Sequence, residues 1–330
     1  MSRSLLLLLV LGAAIVNAQT PSVSAPGQGL VVGAGNFFSP IVSNLEQGIA
    51  FYRDGLGLEV AGQPSTADEN AALRDMFGLP GAKLRWSIAR PAGLRNGIEI
   101  IEITQAGGRP VDRRIQDPGA MTLNRPLGDL DSALTRLKQL GATVVSTGGT
   151  PVEVGIARMI LVREPDGHFV ELFSSARSAG PGDARVRLTV SNLERTVALY
   201  RDALGLRGNV GPAASDAAFM RMLGVSSGTV RMATFEVPAS PVVIEFIEFS
   251  GIDRRTVSSS IQDPGSTRMQ LQVRNLDAAI QAVVRAGGSV ISTGGMPVEL
   301  PAGRGGSIRA AMVRDPDNLF LVLIEARPQP

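Results

Sequence analysis

The sequence is a tandem repeat. Val42-Ser43-Asn44-Leu45-Glu46 returns as Val190-Ser191-Asn192-Leu193-Glu194. Tyr52-Arg53-Asp54 returns as Tyr200-Arg201-Asp202, followed by Leu56-Gly57-Leu58 and Leu204-Gly205-Leu206. Ile115-Gln116-Asp117-Pro118-Gly119, Ser146-Thr147-Gly148-Gly149 and Val162-Arg163-Glu164-Pro165-Asp166 have counterparts at Ile261-Gln262-Asp263-Pro264-Gly265, Ser292-Thr293-Gly294-Gly295 and Val313-Arg314-Asp315-Pro316-Asp317. The matching segments run in the same order through both copies, so two equivalent domains are expected, over residues 34–175 and 183–327. Residues 19–33, rich in Pro, Gly, Ser and Val, read as a linker, and residues 176–182 as the joint between the copies.

The start of the chain reads as an export signal over residues 1–18. Arg3 gives the positive start, Leu5 to Val16 the apolar run, and Val16-Asn17-Ala18 the small-residue cleavage site before Gln19. The expected product is secreted or periplasmic. The run is short for a membrane span, and no later stretch is apolar for long enough, so no membrane contact is expected after signal cleavage. The chain has no Cys, which removes disulfides, thiolate ligands and Cys nucleophiles. Each copy must hold by its own core, which its length permits. The net charge is +2 and 4% of residues are aromatic. No basic run with interleaved aromatics occurs, so no nucleic-acid partner is expected.

Each copy divides again in two. Asn44 can cap a helix, with Gln47 as the reciprocal partner. Leu45, Ile49, Tyr52 and Leu56 then recur at helical spacing up to Gly57, a left-handed stop. Further helices are expected from Asp129 to Gly141, Asn192 to Gly205 and Asn275 to Gly287. Strand-like runs follow at Ile98 to Thr104, Met159 to Val162, Phe169 to Phe173, Val242 to Phe249, Ala310 to Val313 and Leu319 to Ile324. The fold class is α+β, with four βαβββ units. A lone unit leaves its sheet half covered. Two units can pair their sheets and curl them around a cavity, giving each domain a place for a small ligand.

With Phe51-Tyr52-Arg53-Asp54 and Glu164-Pro165-Asp166-Gly167-His168-Phe169-Val170-Glu171-Leu172 added to these repeats, the chain resembles the vicinal oxygen chelate (VOC) superfamily. That group includes glyoxalase I, bleomycin-resistance proteins and extradiol dioxygenases. The resemblance implies four βαβββ units paired into two VOC-type domains with curled mixed sheets. In the enzymes of the superfamily it implies a divalent metal, held by His and Glu from the first and last strands, that chelates neighbouring substrate oxygens.

The His ligands are missing. The implied first-strand position, seven residues before each helix cap, is Phe37, Thr122, Arg185 and Arg268, and His168 is the sole His. By the same spacing Glu102, Glu171 and Glu248 fit the closing-strand carboxylates, and Val322 replaces the fourth. Glu102, Glu171 and Thr122 then form an incomplete metal set in the first domain. Oxygen ligands alone suit Mn, Mg or Ca. In the second domain Glu248 lies with Arg185 and Arg268, which repel a cation, are natural partners for Glu248 and can grip an anionic ligand. Phe37, Arg185, Arg268 and Glu248 are the expected ligand-binding residues. Strand alternation sends Glu99 and Glu245 to the opposite face and His168 to the surface. The Asp-Pro-Gly and Thr-Gly-Gly segments read as turns, and Pro301 to Ser307 as an insertion in the second copy.

The best reading is an exported protein that binds a small organic ligand with a degenerate metal site and needs no cofactor. The alternatives are a metal-dependent glyoxalase- or dioxygenase-type enzyme with its site in the first domain, and a scaffold with filled cavities. Either a monomer, acting as a pseudo-dimer of its domains, or a homodimer is compatible with the sequence.

Overall fold

The computed structural model describes residues 29–66, 70–175, 184–301 and 306–326. The export signal, most of the first linker, the joint and the centre of the 301–307 insertion lie outside them. Strand β1, Val31–Ala34, covers the end of the span assigned to the first linker and the first residue of the domain after it.

Unit 1 comprises β2 (Ser39–Val42), α1 (Leu45–Ala50), β3 (Glu59–Val60), β4 (Ser65–Thr66), α2 (Ala71–Met76), β5 (Lys83–Arg90) and β6 (Ile98–Thr104). Unit 2 has β7 (Met121–Pro126), α3 (Leu130–Gln139), β8 (Thr143–Val144), β9 (Val152–Val154), β10 (Ala157–Arg163) and β11 (Phe169–Ser175). Unit 3 has β12 (Ala184–Thr189), α4 (Leu193–Val197), β13 (Arg207–Val210), α5 (Ala217–Met222), β14 (Thr229–Glu236) and β15 (Val242–Ser250). Unit 4 has β16 (Thr267–Val273), α6 (Leu276–Arg285), β17 (Ser289–Val290), β18 (Val298–Pro301), β19 (Ser307–Arg314) and β20 (Phe320–Ala326). The expected caps hold the helix starts. The side chains of Asn44, Asp129, Asn192 and Asn275 accept from the backbone N–H three residues on. Gly57, Gly141, Gly205 and Gly287 take the left-handed stop. Both α1 and α4 continue as a π-helical turn, over Phe51–Gly55 and Ala198–Ala203.

The expected α+β class holds, with two mixed, curled sheets. Their composition differs from a pairing of units within each sequence copy. Unit 1 pairs with unit 4 through the antiparallel contact of β2 with β16, and unit 2 with unit 3 through β7 and β12. Each copy is therefore spread over both sheets. Helices α1, α3, α4 and α6 pack their apolar faces into one core shared by the two sheets. Gly55 allows a close approach, since Leu137 of α3 and Leu140 just after it fill the space that a Cβ would need.

The faces turned away from that core carry separate apolar clusters. On the 2+3 sheet the cluster lies under α5, and on the 1+4 sheet under α2. These two helices are additions to the expected unit. Both are anchored by the repeated Ser-Thr-Gly-Gly turns. Ser146 Oγ donates to Met222 O and accepts from Leu161 N–H, and Ser292 Oγ does the same with Met76 O and Met312 N–H. The turns thus set the height of α5 and α2 above their sheets.

The sheets are tied together by equivalent reciprocal contacts. Asp166 accepts from Ser43 N–H, and Asp317 from Ser191 N–H and Arg195. The Asp-Pro-Gly turns also join the two long connections. Asp117 accepts from Arg255 N–H, and Asp263 from Arg109 N–H. His168 lies in this junction, which corrects the surface expectation. It is buried, with Nε2 3.0 Å from Ile41 O and Nδ1 3.1 Å from Thr267 Oγ1. A carbonyl only accepts, so the neutral ring carries its proton on Nε2, and Thr267 donates to Nδ1.

Candidate ligand faces of the two sheets

The α5-covered face of the 2+3 sheet has a charged centre. Arg187 on β12 is buried between Glu171 on β11 and Glu245 on β15. Its Nη1 donates to Glu171 Oε2, and its Nε lies 3.0 Å from Glu245 Oε2. Arg185 adds a 2.6 Å bond to Glu245 Oε1, and Asn124 donates to Glu171 Oε1 at 2.8 Å. The Arg187 guanidinium stacks 5.4 Å from the Phe219 ring of α5. Burial by itself would raise the Glu245 carboxyl, but the charges and hydrogen bonds of Arg187 and Arg185 outweigh it and hold the group below its ordinary value. Burial pushes Arg187 down, while Glu171 and Glu245 push it further up, so it stays charged.

On the 1+4 sheet the same face is built differently. Arg268 on β16 stands opposite Ser39 on β2. Its Nη2 donates to Glu99 Oε2 at 2.6 Å, and Gln270 donates to the same oxygen at 2.7 Å. The guanidinium stacks 5.2 Å from Phe77, just after α2. Burial lowers the Arg268 value and Glu99 partly offsets this. Val322 stands on β20 where β11 has Glu171, so no second carboxylate faces this guanidinium.

These contacts reverse one expectation from strand alternation. Glu99 and Glu245 face α2 and α5, while Glu102 and Glu248 face the core helices. Glu102 accepts from Leu45 N–H at 3.2 Å and Glu248 from Leu193 N–H at 3.3 Å, and Glu325 does the same for Leu276 at 3.0 Å. These carboxylates satisfy first-turn N–H groups and complement the positive helix ends. Arg85 bridges Glu102 to Glu46, and Arg309 bridges Glu325 to Asp277. Arg185 and Arg268 accordingly pair with Glu245 and Glu99, and Glu248 is withdrawn from the ligand-facing set. Phe37 is buried in the shared core rather than under α2.

The expected metal set is also dispersed. Glu102 lies on the 1+4 sheet, whereas Glu171 and Thr122 lie on the 2+3 sheet. Among the described residues no group of three His, Cys, Asp or Glu side chains is arranged to hold a metal ion. The oxygens that do converge, from Glu171 and Glu245, are already neutralised by Arg187 and Arg185. A divalent cation fits poorly beside a fixed guanidinium, so these residues do not match the metal centre that the resemblance implies. Arg187 and Asn124 were missed as site residues. Both sit two positions after the implied first-strand position, on the same strand face.

Residues 36–172 match the profile of the Glyoxalase/Bleomycin resistance protein/Dioxygenase superfamily. Glyoxalase I from Zea mays superposes with a TM-score of 0.57 at 16% identity, covering 88% of this chain and 92% of that one. A point mutant of the same enzyme gives 0.58 at 17% identity, covering 88% and 92%. A putative dioxygenase from Bacillus subtilis gives 0.53 at 14% identity, covering 91% and 87%. No curated protein matches by sequence.

Proposed function

Residues 36–172 belong to the Glyoxalase/Bleomycin resistance protein/Dioxygenase (VOC) superfamily and the second copy repeats them, and from that premise we propose that this chain is an exported small-molecule-binding protein working without a metal. The observation that carries the reading is Arg187. Its guanidinium lies between Glu171 and Glu245, so a fixed side-chain cation neutralises the carboxylates that a divalent ion would need. What remains on each sheet is a polar centre in an apolar surround beneath a short helix, an arrangement suited to holding a small organic molecule. Superfamily members often use a metal to polarise substrate oxygens. In this chain the Arg187 donors are taken up by Glu171 and Glu245, Arg268 keeps N–H donors without a partner, and no chemical step is assigned to either. Export rests on the Arg3, Leu5–Val16 and Val16-Asn17-Ala18 pattern. Among the described residues no helix is long and apolar enough to cross a membrane.

The test is metal uptake by the mature chain, Gln19 to Pro330, after separate exposure to Mn, Mg, Ca and Zn and removal of free ion. Retention far below one equivalent per chain is expected for each ion. A retained equivalent that disappears in Glu171→Ala would overturn the reading. Sequencing the N-terminus of the exported product checks the export element, with Gln19 expected first.

A further inference from the structure

Unit 2 departs from the other three units at one corner, where its closing strand meets the start of its core helix. In units 1, 3 and 4 the closing strand carries Glu102, Glu248 and Glu325, which accept from Leu45, Leu193 and Leu276 N–H. Glu102 and Glu325 use both oxygens, one on the helix N–H and the other on Arg85 or Arg309. In unit 2 the residue at this position is Ser174, which stands opposite Arg158 as Glu102 stands opposite Arg85 and Glu325 opposite Arg309. Leu130 N–H, at the start of α3, finds no acceptor among the described residues. A second change lies beside the first. On the first strand, next to the residue two before the Glu, units 3 and 4 have Leu188 and Leu271, and unit 2 has Arg125. Alternation puts Arg125 on the face of Leu123, toward the core helices and away from Thr122 and Asn124. Arg125 is 9% exposed, and its Nε is buried without a partner. No carboxylate among the described residues pairs with it, and burial, with nothing to offset it, pushes it down to about 10. A carboxylate has thus been lost and a guanidinium gained at the same corner.

We infer that this corner of unit 2 binds the carboxylate of a small acid, which takes the place of the missing Glu side chain between Leu130 N–H and Arg125. The charges favour a monoanion. A buried guanidinium without a counter-charge is costly, and one negative charge balances it. The start of α3, a helix of ten residues, favours the same sign. The shape follows from Glu102 and Glu325, whose two oxygens join a helix N–H to a guanidinium, as a free carboxylate can and a chloride ion cannot. Ser174 is shorter than Glu by a methylene and the carboxyl group and is part exposed, so the place opens to solvent. The nearby acids are already engaged. Asp131 and Glu153 pair with Arg158, and Asp129 caps Ser132. This corner is on the opposite face of the sheet from Arg187, and its occupation does not depend on the reading above.

The test follows thermal melting of the mature chain at neutral pH and constant ionic strength, with sodium acetate replacing sodium chloride. A saturable rise in melting temperature of roughly 2–4 °C is expected, and a smaller one with sodium phosphate, whose second charge has no partner. Arg125→Leu installs the residue of units 3 and 4. It should melt no lower than the unaltered protein in chloride and show no response to acetate. Ser174→Glu installs the carboxylate of the other three units. It should melt higher in chloride and likewise lose the response. No saturable rise with acetate, an equal rise with phosphate, or a rise retained in either variant would overturn the inference. Each variant introduces only what another unit already has at that position, so failure of either to fold counts against it as well.

Discussion

Arg187 does for Glu171 and Glu245 what an exchangeable cation would otherwise have to do, and its removal is correspondingly destabilising. Arg187→Met leaves Glu171 with no guanidinium and Glu245 with Arg185 alone. Breaking a buried pair from one side costs about 3–5 kcal/mol, so a loss of that order is expected in urea denaturation with an unchanged m-value. Glu171→Val should cost clearly less, because it leaves an Arg187–Glu245 pair like the Arg268–Glu99 pair beside Val322. Equal losses would show that the two carboxylates are not interchangeable in this way. The correct facing of these residues was present in the sequence. Setting the closing strands side by side places Glu99, Glu171, Glu245 and Val322 at one position and Glu102, Ser174, Glu248 and Glu325 three residues later. Pairing Glu171 with Glu102 crossed the two positions, and a shift of three residues reverses the strand face.

At the scale of elements, the four core helices were legible because a polar cap, an apolar stripe and a Gly stop agree at each. Helices α2 and α5 carry similar signals in weaker form. Asn70 accepts from Leu73 N–H and Asp216 from Phe219 N–H, and Gly78 and Gly224 follow. At six residues each, they are too short for a hydrophobic period to stand out. Their placement was not legible at all, since it depends on Ser146 and Ser292, distant in sequence. The glycines after these helices are held by space as well as by conformation. Gly224 has φ +72°, and a Cβ there would lie 2.3 Å from Val145 O, whereas Gly57, at φ +69°, has open space around the same atom. Gly57→Ala should therefore show the backbone term alone, roughly 1–2 kcal/mol. Gly224→Ala should cost more, because the 145–149 turn must move from α5. Denaturation midpoints of the two variants check the order, and equal losses would remove the steric part of the argument.

Across the whole molecule, the repeat established four related units but not their partners, because equivalent units offer equivalent strand edges. The pairing of 1 with 4 and 2 with 3 brings segments far apart in sequence together, and His168 is fixed by that pairing: Ile41 and Thr267 reach it from the two units of the other sheet. Nothing local in Gly167-His168-Phe169 distinguishes this burial from exposure. Its consequence is a pH dependence centred on the junction between the sheets. Burial pushes His168 down to about 4, against an ordinary value near 6.5. The folded state holds the ring neutral, so its contribution is complete above about pH 6.5 and is lost as pH falls toward 4. Glu164, in the same turn, is raised to about 8 by burial and by the neighbouring Asp166. Its folded form keeps a proton that the unfolded chain releases, so it lowers stability progressively as pH rises from about 4.5 to 8. The two slopes have opposite sign and overlap between about pH 4.5 and 6.5. Urea midpoints measured from pH 4 to 8.5 should separate them. In the unaltered protein the two nearly cancel over that overlap, so His168→Gln should turn it into a decline, whereas Glu164→Gln should turn it into a rise, flatten the decline toward pH 8 and leave the variant the more stable protein there. If both slopes persist in the variants, the titration that governs the junction belongs to other groups and His168 is a packing residue alone.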